Sequence, residues 1–440
     1  MRKIFFTLIS LGIFSACDVL DVKPTNRIPK DDAFKDKTGI EKGILGSYGP
    51  FQYLSYYGRS YLTFSDLSAD NLEQPVDGTS SDYREIDNNN IQPENSAVEG
   101  IWASAYEGIN RANNVIAKVP DMSDMTDEEK QIALGELYFI RALNHFNLMI
   151  YFGDVPVKTT PTLSPDEVNV PRKPKAEVYA QVVEDLEYAE EHLPESSVKT
   201  RASRYAAVAL LARVHLYMGA YADAITRATE VIDDGGYALV DDFADVFTDG
   251  SAESIFEIDF TIQARNRIAE YNFPKSLNGR RELAPTPDIL GAFEPSDTRA
   301  DASIAFDGTL PYAIKYDDLS TGADNVIVLR LSEMYLIRAE ANARLAQNLA
   351  LVQDDINMIR NRAELGDTPA NTFPELLEAI EQERWVEFAF EGHRWFDLVR
   401  TNRAMDVLPN VTKLSKTVFP IPLSEILTNT NPDMKQNPDY

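Results

Sequence analysis

From residue 33 onward, apolar side chains recur at intervals of about 3.6 residues over long stretches, and runs of β-branched residues are few and short. Such spacing lines one stripe of a helix with apolar groups, and a chain built mostly of such stripes buries them helix against helix. The helices come in pairs. The first is predicted over residues 97–119 and 127–151, with Pro120 and the polar cluster at 121–127 as the turn and Asp127 as the cap of the second helix. In the next pair, Leu211, Ala212, Gly219, Tyr221 and Ala224 stand at offsets used by the tetratricopeptide repeat of about 34 residues, and Gly219 with Tyr221 turns the chain. A third pair is predicted over 330–346 and 349–363, and a final helix over 374–400, opened by Pro374. Pairs of this kind cannot cover their apolar faces alone. The expected fold is therefore mainly α, with tetratricopeptide-like helix pairs stacked as a solenoid scaffold.

Residues 48–95, residues 235–311 and the tail from Val418 do not carry this period. Short strand-like runs at 254–260 and 326–329 are the few β elements expected. These segments are too long for simple connectors, so they are predicted to pack back on the scaffold as a loop-built ligand-binding face.

The start of the chain predicts export. Met1, Arg2 and Lys3 are followed by an apolar run at 4–14, too short to cross a bilayer, and then by Ser15, Ala16 and the single cysteine, Cys17. Small residues before a cysteine at the cut are what lipoprotein processing requires, although Phe14 stands where such sites usually carry Leu. A lone unpaired thiol is also unusual in an exported protein. Residues 1–16 are thus expected to be a lipoprotein signal peptide, Cys17 the lipidation point, and residues 17–32, with Pro24 and Pro29, a tether. Residues 33–440 contain no long Pro/Gly/Ser-rich or single-sign linker and are expected to form a single domain.

The net charge of −28 repels phosphate backbones, which argues against nucleic-acid binding. Glu387, Glu391, His393 and Asp397 lie within a few turns of one predicted helix, but a zinc protease helix needs two histidines four apart, and this one has a single histidine. Its Trp385, Phe388, Trp395 and Phe396 are expected in the core, and its Arg394 and Arg400 beside carboxylates. His145, His192 and His215 are scattered. The run Asp241, Asp242, Asp245 and Asp249 lacks the order of a calcium-binding EF-hand and reads as a solvated loop. No phosphate loop or Gly-x-Ser-x-Gly turn is present, so neither an enzyme nor a bound metal or cofactor is expected.

Several stretches in order resemble the SusD/RagB family. They are residues 137–157 (LYFIRALNHFNLMIYFGDVPV), 329–344 (LRLSEMYLIRAEANAR) with 356–362 (INMIRNR), 383–400 (ERWVEFAFEGHRWFDLVR) and 419–440 (FPIPLSEILTNTNPDMKQNPDY). With Cys17 and the following Asp-Val-Leu-Asp-Val-Lys-Pro, the resemblance spans essentially the whole mature chain. It implies a surface-exposed, lipid-anchored outer-membrane protein of the Bacteroidota. It also implies a partner, a SusC-like TonB-dependent transporter that family members cap as a hinged lid, delivering oligosaccharides or in some cases peptides. The alternative is a repeat scaffold whose concave helical face binds a peptide or protein.

A glycan ligand needs a flat aromatic face and forked or amide donors. All three tryptophans fall on predicted helices, Trp102 in a packing pattern, so stacking is expected from tyrosines. Of the loop tyrosines, which include Tyr56, Tyr57, Tyr312 and Tyr316, the favoured ligand-binding set is Tyr83, Arg84, Tyr271, Asn272 and Arg280. Arg280 beside Arg281 is suited to select an anionic sugar, although adjacent arginines on an acidic protein more often serve as ordinary ion-pair partners. On this reading intact mass spectrometry should find acyl chains on Cys17 of the mature protein, and Cys17→Ser should release it from membranes; an unacylated, water-soluble mature form would contradict the assignment.

Overall fold

The computed structural model describes residues 33–440, so the leader, Cys17 and the tether lie outside the described residues. The first described elements are α1 (Lys37–Tyr48), α2 (Ser60–Leu67) and α3 (Ser81–Asp87), followed by the long helices α4 (Ser96–Ile116) and α5 (Asp127–Phe152). The α5 cap is Thr126 rather than Asp127. Thr126 Oγ1 accepts from the Glu129 amide at 3.2 Å while Glu129 accepts from the Thr126 amide at 2.9 Å, and Asp127 then sits in the first turn, where its charge suits the helix dipole.

Helix α5 packs on α4 and also on α6 (Lys175–His192). The latter is a helix that the apolar pattern does not single out, because its buried stripe, Val178, Val182, Leu186 and Ala189, is narrow on an otherwise charged surface. Its anchor is electrostatic: Arg141 of α5 holds Asp185 of α6 through paired bonds of 2.8 and 2.6 Å. Next come α7 (Arg204–Met218) and α8 (Tyr221–Asp234), joined at Gly219, whose φ of +75° is the left-handed turn expected there. The short α9 (Ile268–Asn272) is followed by α10 (Leu331–Arg344) and α11 (Leu349–Arg362), the predicted third pair. Helices α8 and α10 pack together, so successive pairs stack as the solenoid reading requires.

The predicted last helix is two helices, α12 (Phe373–Glu387) and α13 (Arg394–Arg400). Between them Phe390 and Gly392 take φ values of +66° and +81°. A Cβ on residue 392 would lie 2.9 Å from the Leu62 Cα, and the Gly392 amide donates to Asp66 Oδ2 at 3.1 Å, so this turn must be backbone against backbone. A buried ion cluster surrounds the break. Arg330 donates to Glu253 at 2.7 Å, Glu387 at 2.6 Å and Glu391 at 2.8 Å. Arg299 binds Asp297 through two bonds of 2.8 Å and reaches Glu383 at 2.9 Å and Glu387 at 3.1 Å. Lys315 holds Glu391 at 2.9 Å and the Glu387 carbonyl at 2.7 Å.

Short strands complete the fold: β1 (Leu72–Glu73), β2 (Ser254–Ile258), β3 (Ala284–Pro285), β4 (Ile304–Asp307), β5 (Leu310–Ala313) and β6 (Val326–Arg330). They form antiparallel pairs, β1 with β3, β2 with β6 and β4 with β5. Strands β2 and β6 are the two strand-like runs of the sequence, and both are buried throughout, between the helices and the ion cluster. On both sides of a last helix, α14 (Leu423–Thr428), the chain folds back on α5: before it the Phe419 amide meets the Tyr151 carbonyl at 2.7 Å, and after it Asn437 donates to the Phe152 carbonyl at 2.9 Å. One apolar cluster runs from Ile40 to Met434 and includes residues of every long helix pair.

Burial alone would raise the Glu387 carboxyl, but Arg362, Arg330 and Arg299 hold it well below the usual carboxylate range. Removing one member leaves its partners charged and unpaired in the core. Glu387→Gln should cost about 3–5 kcal/mol in urea denaturation, whereas Arg403→Gln, in an exposed pair with Glu381, should cost at most about 1 kcal/mol. The fully buried His145 gives a pH test. The Lys158 amide donates to its Nε2 at 3.2 Å, and burial pushes its pKa down from 6.5 to about 3. The stability this neutral ring provides is complete above pH 6.5 and is lost as pH falls towards 3. His145→Gln should therefore lose less stability than the wild type between about pH 7 and pH 4, read as the shift in urea midpoint.

Candidate functional site

The irregular segments 48–95 and 260–320 meet on one side of the helical stack. Strand β1 pairs with β3, with Leu72 opposite Pro285 and Glu73 opposite Ala284. The Glu282 carboxylate takes the Thr79 and Ser80 amides at 2.7 and 3.1 Å, the Arg267 amide donates to the Gly58 carbonyl at 2.8 Å, and Arg281 pairs with Asp77. Backbone groups take part in all of these contacts except the Arg281–Asp77 pair, so the two segments hold a common shape that does not depend on the side chains they carry outward.

Within this face, α9 carries Tyr271, held from both sides in sequence: its amide donates to the Arg267 carbonyl at 3.3 Å and its carbonyl accepts from the Glu282 amide at 2.9 Å. That frame sets the half-buried Tyr271 ring beside Tyr83 of α3, with centroids 5.9 Å apart. The Arg59 guanidinium lies 4.1 Å from the Tyr271 centroid and 5.8 Å from that of Tyr83, and the Arg280 guanidinium lies 4.8 Å from the Tyr271 centroid. The structure thus brings together Tyr83, Tyr271 and Arg280. Tyr83 is buried edge-on against Phe64, and burial raises its phenol pKa well above the usual value, so it supports the site from behind. A sugar cannot lie on the Tyr271 ring without meeting a guanidinium.

Two favoured residues are placed apart from this cluster. Arg84 is exposed and donates to the Gly78 carbonyl at 3.2 Å, and Asn272 is buried with its amide turned back to the Ile268 carbonyl at 3.0 Å. Tyr56 and Tyr57 point inward to Asn147 of α5, at 2.7 and 2.9 Å, and pin the loop to the helix. Arg59, which follows them, was not among the residues picked from sequence; its signal was its place in a tyrosine-rich loop. Arg265 and Arg267, close to Arg280 and Arg281 along an acidic chain, were visible only as a local excess of basic residues.

Trp385 is a correction. It was expected in the core, yet it is half-buried on the wall of an open cleft of about 1010 Å³, with Nε1 donating to Asn71 at 2.6 Å and the Arg394 guanidinium 4.2 Å from its ring. Arg394 in turn holds Asp70 through two bonds of 2.7 Å, which fixes Trp385 at the rim where the first irregular segment meets α12. Trp102 is buried as its pattern predicts, and also lines a cavity of about 440 Å³ between α4 and α14.

The groups that suggested catalysis are spent on structure. Glu387 and Glu391 belong to the ion cluster, and Asp397 is held by Arg384 and Arg400 at 2.8 Å each. Asp242 caps a short turn at the Ala244 amide, and Asp249 accepts from the Asn325 amide at 2.8 Å. Among the described residues no group of three or more His, Cys, Asp and Glu side chains is placed to hold a metal ion.

A helical-repeat scaffold with one loop-built, arginine- and tyrosine-bearing face defines a binding protein. Known proteins say which kind. A family model described as starch-binding associating with outer membrane matches residues 18–216, and the SusD family model matches residues 312–414. The chain belongs to the SusD/RagB family. It is similar to SusD-like protein P2 of Formosa agariphila, 27% identical over an alignment of 505 positions that covers 100% of this chain and 99% of that one. A laminarin-binding SusD-like protein of solved structure is 27% identical, with a TM-score of 0.82 over 92% of this chain and 100% of that chain. A SusD superfamily protein from Bacteroides vulgatus shares the fold at a TM-score of 0.85 and 24% identity, over 92% of this chain and 100% of that chain.

Proposed function

We propose that this protein captures an oligosaccharide or polysaccharide at the cell surface and hands it to a SusC-like TonB-dependent transporter without breaking a bond. The observation that carries the reading is the joined loop face, where Tyr271 and Tyr83 order the guanidiniums of Arg59 and Arg280. Membership of a family that includes glycan-binding proteins, and likeness to a laminarin binder, support it. Residues 33–440 act as one unit, with the stacked helices as the back towards the transporter and the loops as the front that holds cargo. Acyl chains on Cys17 keep the unit at the outer membrane. Affinity per site need only be modest, because tethering beside the transporter supplies a high effective concentration.

The test is calorimetry against a polysaccharide panel. Tyr271→Ala removes the ring that orders both arginines and should weaken binding of the recognised glycan about tenfold, with an unchanged circular dichroism spectrum. Incubation with that glycan should release no new reducing ends. Unchanged affinity in the variant would remove this face as the site, and binding of peptides in place of glycans would favour a peptide-capturing scaffold.

A further inference from the structure

The chain carries 70 acidic against 42 basic residues, and most of its arginines are matched to carboxylates, as Arg299, Arg330 and Arg394 are in the core. Around Tyr271 that balance is reversed. Arg265, Arg267 and Arg280 share the one carboxylate of Glu270, at 3.5, 3.5 and 4.0 Å. Arg59 forms no ion pair among the described residues; its one side-chain hydrogen bond goes to Ser60 Oγ at 3.3 Å, and its buried Nε has no acceptor. The other nearby carboxylate, Glu282, already accepts from Thr79 and Ser80. The guanidiniums of Arg265 and Arg280 are also substantially exposed, at 43% and 46% of their side-chain surface.

We infer that this face selects an anionic glycan, one bearing uronate carboxylates or sulfate esters, through the arginines gathered around Tyr271. This rests on the capture function proposed above and names the chemical class of its cargo. Four guanidiniums against the two carboxylates of Glu270 and Glu282 leave a local positive excess on a protein of net charge −28, and a ligand that brings negative groups gains most there. A guanidinium fork matches a carboxylate or sulfate through two parallel bonds, which a neutral hydroxyl cannot do. The aromatic rings already have guanidiniums over them, so charge and not ring stacking sets the preference.

Binding of the full mature protein to polygalacturonate, κ-carrageenan and laminarin, measured by calorimetry at low and high salt, separates the cases. The expected result is binding to a charged polymer that weakens about tenfold or more between about 0.05 and 0.5 M NaCl, and about tenfold again in Arg265→Gln/Arg280→Gln. Both substituted residues are exposed, so the variant should fold as the wild type does. Preference for polygalacturonate assigns a carboxylate, and preference for κ-carrageenan a sulfate. Binding of laminarin alone, or charged-polymer binding that the double variant leaves intact, overturns the inference while glycan capture stands. Failure to bind any of the polymers overturns both.

Discussion

The packing of Glu387 and Glu391 onto Arg330 is the interaction on which the arrangement of the second half of the chain depends. Its members come from the residue before β2, from β6, α11, α12 and the turn before α13, together with Arg299 and Lys315 from the long irregular segment. Charged groups in a core are tolerated only when each is answered by an opposite charge and a filled set of hydrogen bonds. That requirement couples distant pieces of sequence more strictly than apolar packing does, since an apolar residue accepts many neighbours and a buried guanidinium very few.

The helix break lies beside that cluster, and from the break follows the rim of the binding face. Because the chain turns at Phe390 and Gly392, Asp66 receives the Gly392 amide, Asp70 receives Arg394 and Asn71 receives Trp385. The first irregular segment is thus pinned to the end of the solenoid by polar side chains, and then to the second irregular segment by the β1–β3 pair and the Glu282 carboxylate. The loops are irregular but not loosely held. A rigid frame lets exposed side chains such as Arg265 and Arg280 be exchanged without disturbing the fold.

Much of the scaffold was legible before any coordinates. The pairs α4 with α5, α7 with α8 and α10 with α11 carry wide apolar stripes, and Gly219 marks its own turn. Helix α6 was not legible to the same degree, because an Arg141–Asp185 pair supplies part of what an apolar stripe would. The break in the helix expected over 374–400 has one local sign, Gly392, and the contacts that fix the turn there come from the distant Asp66 and Leu62. The tyrosines showed the same division. Tyr83 and Tyr271 look no different in sequence from Tyr56 and Tyr57, yet the second pair is drawn inward by Asn147.

The amino-acid sequence by itself determined the helical class, the pairing of helices, the family resemblance and the absence of a nucleic-acid-like charge, because these depend on local spacing, ordered motifs and total charge. Only the tertiary structure decided which arginines are neutralised and which are left over, where the last helix breaks, and that Tyr83, Tyr271, Arg59 and Arg280 share one face. Those outcomes depend on contacts between residues tens to hundreds of positions apart, set by the geometry of buried charges and of loops joined through their backbones, and no local pattern encodes such distances.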